Sequence, residues 1–325
     1  MSAVAPLFRL PEDKQPIMQR AQRLEWLTIA ALASIIVVVG LVMGSSQAMK
    51  TMWVEDLLSL VPPISFLVGV RYRKKRPNSR FPYGYRRAVL VGFLTGAVAL
   101  FGFGGFMLLD SVLKLVKADH PTIESIQLFG HTIWLGWLMM AALAYSVIPP
   151  LILGRKKLPI ARELHDKVLQ VSAELNKGDW LAGVAGILGI LGIALGFWWC
   201  DALSGAIISV EIIKDGYGNL RNAVAQLMNK TPSDVDSKNP DAVTEHVQQA
   251  LEQLPWVAEA RVRLREDGDV LTGEAFVVPR DEDDLLAKVE DARAVAHEVD
   301  WRLHEVVIVP CRELRHSDET SEQAA

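Results

Sequence analysis

Cysteine is nearly absent from this chain. Its two cysteines, Cys200 and Cys311, stand in an apolar run and in a polar region, which excludes a disulfide framework. Charge is thin as well. Only 22% of the 325 residues are charged against 50% hydrophobic, a balance too apolar for most soluble proteins. The net charge of -4 is small and carries no information about partners. No cleavable signal peptide is evident, because the opening MSAVAPLFRLPEDKQPIMQRAQRLEW is polar and Arg20 and Arg23 flank the first apolar run.

Long apolar runs are what the chain has in abundance. A bilayer is crossed by about 20 such residues, and six spans are expected, at roughly 27–43, 52–70, 88–109, 132–153, 168–200 and 201–213. The last is short and is edged by Asp201, Glu211 and Lys214. Basic residues crowd two connections. Arg71, Arg73, Lys74, Lys75, Arg76, Arg80, Arg86 and Arg87 follow the second span, and Arg155, Lys156, Lys157, Arg162 and Lys167 follow the fourth. The other connections are far poorer in Lys and Arg, so both termini are expected in the cytoplasm. Topology alone accounts for these bases, and no nucleic-acid role is called for.

After Asn229 the character changes. KTPSDVDSKNPD is a polar, proline-containing linker. Residues 242–254 read as an amphipathic helix and 258–265 as an alternating strand. A turn at 266–269, a strand at 270–278, a charged helix at 285–303 and a strand at 305–310 follow. That order implies a small α+β domain of ferredoxin-like type, its sheet covered on one face. The expected division is an N-terminal cytoplasmic segment (1–25), a six-helix membrane domain (26–222), a linker (223–241), the α+β domain (242–314) and a disordered tail (315–325).

The fifth span holds the most chemistry. SAELNKGDW places Glu174, Asn176, Lys177 and Asp179 at the mouth of a span or inside it. Ionisable groups at membrane depth are costly and usually face a bundle interior or a water path. Ser172, Asn176 and Asp179 share one helix face, with Glu174 about 140° from Asp179. These groups are either solvated charges at the interface or an intramembrane cation site built around Asp179.

Six spans, cytoplasmic ends and a small α+β C-terminal domain resemble the cation diffusion facilitator family of metal/proton antiporters. RFPYGYRRA at 80–88 is similar to the family's loop before span three. GDWLAG at 178–183 looks like the aspartate-bearing part of span five, and WWCDALSGAIIS at 198–209 looks like the start of span six, with its acid at Asp201. The resemblance implies a four-ligand transport site on spans two and five, a His or Asp followed four residues later by an Asp. Here Glu55 and Ser59 fall at the span-two positions, and Leu175 and Asp179 at the span-five positions. The family's zinc site is therefore not carried over intact.

An altered site would combine Asp179, Glu55, Ser59 and Asn176 with the neighbouring Asp56 and Glu174. Pro62 and Pro63 remove the N–H donors that would serve the carbonyls of Leu58 and Ser59, and such carbonyls can line a cation path. With no histidine and no well-placed cysteine, oxygen donors suit Mg²⁺, Mn²⁺ or Fe²⁺ better than Zn²⁺. The other reading makes Glu55 and Asp56 interfacial acids at a helix start. Phe81 and Tyr85 stand where the resemblance implies histidines in the loop before span three. The strands of the C-terminal domain carry no histidine, and the resemblance leaves that domain dimerisation as its role. No enzyme activity and no resident cofactor are expected. The expected function is proton-coupled efflux of a divalent cation across a bacterial plasma membrane by a homodimer in the lipid bilayer. The alternative is a membrane scaffold that kept the fold and lost transport.

Overall fold

The computed structural model of the protein describes residues 8, 10–73, 75–121, 123–128, 131–236 and 239–314, without the side chains of residues 128, 131 and 177–179. The chain divides into two compact units. One comprises Glu12–Lys75 and Arg87–Val224, and the other the described parts of Met1–Pro11, Arg76–Arg86 and Ala225–Ala325.

The first unit is built of long helices: α1 (Gln15–Val42), α2 (Gln47–Leu58), α3 (Val61–Arg73), α4 (Ala88–Val116), α5 (Leu135–Leu164), α6 (Lys167–Ala194) and α7 (Trp199–Leu227). Among the described residues five stretches are long and apolar enough to cross a membrane: α1, the α2–α3 pair, α4, α5 and α6. The 29-residue α7 does not reach that apolarity, because Asp201, Glu211, Lys214 and Asp215 interrupt it. It also runs well past 213, where the sequence suggested an end, and into residues 223–227 of the expected linker. The fourth span starts later than expected. Residues 131–134 instead form β2 (His131–Trp134), paired antiparallel with β1 (Ser125–Leu128).

Two prolines break the second span. The helix stops at Leu58 and resumes at Val61, just before Pro62 and Pro63. Ile64 N–H reaches back to Leu60, so the break is confined to one turn. The α5–α6 connection shrinks to His165 and Asp166. His165 turns the chain in the left-handed region (φ 49°), and Asp166 caps α6 by accepting from Leu169 N–H at 3.0 Å. Consequently Arg155, Lys156, Lys157 and Arg162, expected in a loop, belong to α5.

Close approach organises α6. A Cβ at Gly183 would stand 2.3 Å from Val147 Cγ2 of α5, and one at Gly186 would stand 3.3 Å from Met52 Sδ of α2. Ile35, Met49, Met52, Met139, Leu143 and Ile190 fill the interior between these helices. A larger residue at Gly183 would push α5 and α6 apart.

The second unit carries α8 (Val243–Glu252), β3 (Val257–Asp267), β4 (Val270–Pro279), α9 (Leu285–Val299) and β5 (Leu303–Pro310). Sheet order is β3-β4-β5, with β3 antiparallel and β5 parallel to β4. Both helices cover one face through Val247, Leu251, Ala292 and Ala296, against Val262, Ala275, Val277 and Ile308. Trp256 is buried in the same core. The opposite face shows Arg261 and Arg263, the latter held by Glu274 at 3.0 Å. Gly268 makes the β3–β4 turn at φ +71°, shorter than the expected 266–269, because Glu266 and Asp267 stay in the strand.

Candidate functional site

The acids expected on the second span lie at the end of α2, where its packing on α6 is set by Met52 and Gly186. The start of α2 lies beside Asp201, just past the end of α6, so the two helices run antiparallel. Glu55 and Asp56 follow Met52 by three and four residues and therefore flank its face, one turn towards the first half of α6. Asp56 is buried and Glu55 half-buried, so the neighbour expected to matter less is the deeper of the two. Ser59 is buried at the helix break, its N–H donating to Glu55 carbonyl at 2.8 Å.

On α6, Asn176 is buried, and its Nδ2 has no hydrogen-bond partner among the described residues. A buried amide left unpaired costs about 1–3 kcal/mol, which marks a place where a polar guest would be stabilised. Glu174 is exposed and accepts from Gln170 Nε2 at 2.8 Å, which places it on a different face from Asn176. The Asp179 side chain lies outside the described residues. Among the described residues no group of three or more His, Cys, Asp or Glu side chains could hold a metal ion. Asp56 and Ser59 at the end of α2 and Asn176 on α6 are thus buried polar residues, with Glu55 half-buried beside Asp56.

Two polar clusters escaped the sequence. Asp201 opens α7 and accepts three hydrogen bonds from the start of α2: Ser46 Oγ (2.6 Å) and Ala48 N–H (3.2 Å) on Oδ1, and Gln47 N–H (2.6 Å) on Oδ2. One carboxylate thereby serves two helix N-termini, where negative charge is favoured. The buried Gln47 side chain carries the network to α4, accepting from Lys114 Nζ at 2.6 Å and donating to Ser111 Oγ at 3.3 Å. The second cluster is Glu25 of α1 with Lys157 of α5 and Ser172 of α6. Glu25 and Lys157 are both fully buried, with Nζ 3.2 Å from Oε2. Neither shows in the sequence: Glu25 borders the first apolar run, and Lys157 hides in a basic triplet.

In the other unit His304 is half-buried. Phe8 meets it edge-on with ring centroids 5.7 Å apart, and Phe8 also packs on Trp301. Burial, aided by the Arg86 and His297 charges and opposed by Asp267, holds the His304 pKa down at about 4. A histidine depressed when folded binds its proton better when unfolded. The unit is therefore expected to keep full stability above about pH 6.5 and to lose it as pH falls towards 4. Tryptophan-monitored unfolding across that window should show the loss, and His304→Gln should flatten it. An equally steep pH dependence in the variant would assign the loss to other groups.

Comparison with known proteins places these features. Residues 23–228 match the model of the cation efflux transmembrane domain. A protein of Methanocaldococcus jannaschii named as an uncharacterized transporter is 23% identical over 202 residues, covering 62% of this chain and 66% of the relative, just under two thirds of its length. The match and the five apolar helices make this an integral membrane protein.

Proposed function

The chain belongs to the cation diffusion facilitator family, and from that premise we propose that it exports divalent metal cations from the cytoplasm in exchange for protons. The observation that supports this reading is the burial of Asp56 and Ser59 on the broken second span and of Asn176 on α6, all within the matched domain. Hydrocarbon-spanning helices rarely bury an aspartate, a serine and an asparagine together without a polar guest. The cation would be held by oxygen: Asp56, Glu55 and Ser59 from the broken second span, Asn176 and Asp179 from α6, backbone carbonyls freed at the break, and water. Glu174, on another face, would meet the cation at the entrance. Such donors favour Mg²⁺, Mn²⁺ or Fe²⁺ over Zn²⁺.

In this reading α7 is the sixth span, and the C-terminal domain is of ferredoxin-like type and joins two copies. Both termini lie in the cytoplasm, and the membrane is a bacterial plasma membrane. The basic residues 71–87 stay inside. In a background with Cys200 and Cys311 replaced by serine, a membrane-impermeant thiol reagent applied from outside should modify Asp119→Cys and spare Ser79→Cys. Modification of Ser79→Cys from outside would invert the topology and with it the direction of transport.

The function itself is tested in cells stripped of their own efflux systems. Expression should lower cell-associated Mn, Fe or Mg under metal load. Unchanged contents for every divalent ion, with the protein present in the membrane, would favour a scaffold that kept the fold without transport.

A further inference from the structure

Three polar rungs tie α1 to α5. Lys14 lies 3.6 Å from Glu163, Glu25 lies 3.2 Å from Lys157, and Ser34 Oγ lies 2.8 Å from Tyr145 Oη. The first and last rungs are partly exposed, whereas the middle one is sealed from solvent. Ser172 of α6 completes the middle rung. Its hydroxyl accepts from Lys157 Nζ at 2.8 Å and donates to Glu25 Oε2 at 3.2 Å.

A buried ion pair is weak evidence of stabilisation, because desolvation offsets most of its attraction. This one has two features that a plain staple does not need. First, Glu25 Oε1 is buried and has no hydrogen-bond partner among the described residues. Second, the pair is not alone. The charged groups acting on Glu25 are Lys157 from α5 and the buried Asp166 at the start of α6, with Ser172 as its third polar neighbour. Lys157 favours the charged form of Glu25 and Asp166 opposes it, in a poorly polarisable interior. Uptake of one proton at Oε1 would neutralise the Glu25 carboxylate.

Asp166 caps the α6 N-terminus, where negative charge is favoured, and accepts from Leu169 N–H. Oε1 of Glu25 is the open position. We propose that Glu25, set by Lys157, Ser172 and Asp166, is a proton-binding site of the membrane unit, separate from the metal face between α2 and α6. The proposal rests on the transport reading for its role as the carrier of the coupling proton. The step is simple: a proton adds to Oε1, the carboxylate becomes a carboxylic acid, the charge of the cluster rises by one, and release reverses it. His165, next to Asp166 in the α5–α6 turn, is exposed to solvent.

Glu25→Gln reproduces the uncharged, protonated side chain and should fold. Infrared spectra of the full-length protein in lipid nanodiscs, taken during acid titration, should show a carboxylic-acid band that Glu25→Gln removes and Asp179→Asn keeps. Lys157→Met should shift that band's appearance to higher pH. In proteoliposomes the wild type should take up Mn²⁺ faster under a pH gradient, and in Glu25→Gln the ratio of uptake with and without the gradient should fall to one. A band that survives Glu25→Gln, or a wild-type ratio in that variant, overturns the proposal and leaves the cluster a staple between α1, α5 and α6. A wild type that moves no metal defeats the transport reading instead, and the infrared band still decides the proton site.

Discussion

Asp201→Ala is expected to destabilise the membrane unit more than any other single truncation considered. The substitution strands Gln47 N–H and Ala48 N–H at a buried helix start and frees the Ser46 hydroxyl, which can turn to another acceptor. Two orphaned buried donors at about 1–3 kcal/mol each put the loss at roughly 2–6 kcal/mol. For a unit of about 200 residues that is on the order of 5–15 °C in apparent melting midpoint. Asp201→Asn keeps one acceptor oxygen but turns an N–H₂ towards donors, so an intermediate loss is expected. Asp110→Asn breaks only the exposed 3.7 Å pair with Lys114 and should cost well under ~1 kcal/mol. Thermal stability measured in detergent by size-exclusion recovery gives all three values. Equal midpoints for Asp201→Ala and Asp110→Asn would mean that the carboxylate does not organise that end of the bundle.

The second large effect concerns transport. Asp179→Asn keeps the shape of the side chain and removes its charge, so the fold should survive while cation flux falls at least about tenfold, about 1.4 kcal/mol or more of lost interaction. Asp56→Asn should do the same, because the aspartate is buried at the helix break and faces the α6 side of α2. Glu55→Gln, at the margin, should reduce flux less, and Glu174→Gln least, since Glu174 is exposed. Flux measured beside circular dichroism separates transport from folding. Normal flux in both Asp179→Asn and Asp56→Asn would remove the proposed cation site from this face.

Local signals were readable along the chain. Pro62 and Pro63 announced that the carbonyls of Leu58 and Ser59 lose their helical donors, and the helix stops at Leu58, a break in a span that the sequence reads as continuous. Alternation in ARVRLR and GEAFVV announced β3 and β4, since one face of the sheet is covered and the other is wet. Polar partnerships were not readable. Asp201 stood out as an acid at the start of a span, yet its partners lie more than 150 residues away, and nothing in Gly44–Ser46 signals them. Lys157 was misread for a similar reason. In RKK the first two bases face outward, and helix geometry turns the third into the bundle towards Glu25. The start of the fourth span was misplaced because Thr132 and Ile133 are as compatible with a strand as with a helix, and pairing to Ile126 and Gln127 decides for the strand.

The central claim is that this protein moves divalent cations through an oxygen-lined path. It is tested most directly by flux in proteoliposomes that contain only the purified protein, with Mg²⁺, Mn²⁺, Fe²⁺ and Zn²⁺ offered in turn, with and without a pH gradient. The account predicts saturable uptake of at least one of the first three ions, faster under the gradient, and slower uptake of Zn²⁺. Vesicles that take up none of the four above the protein-free background would contradict it.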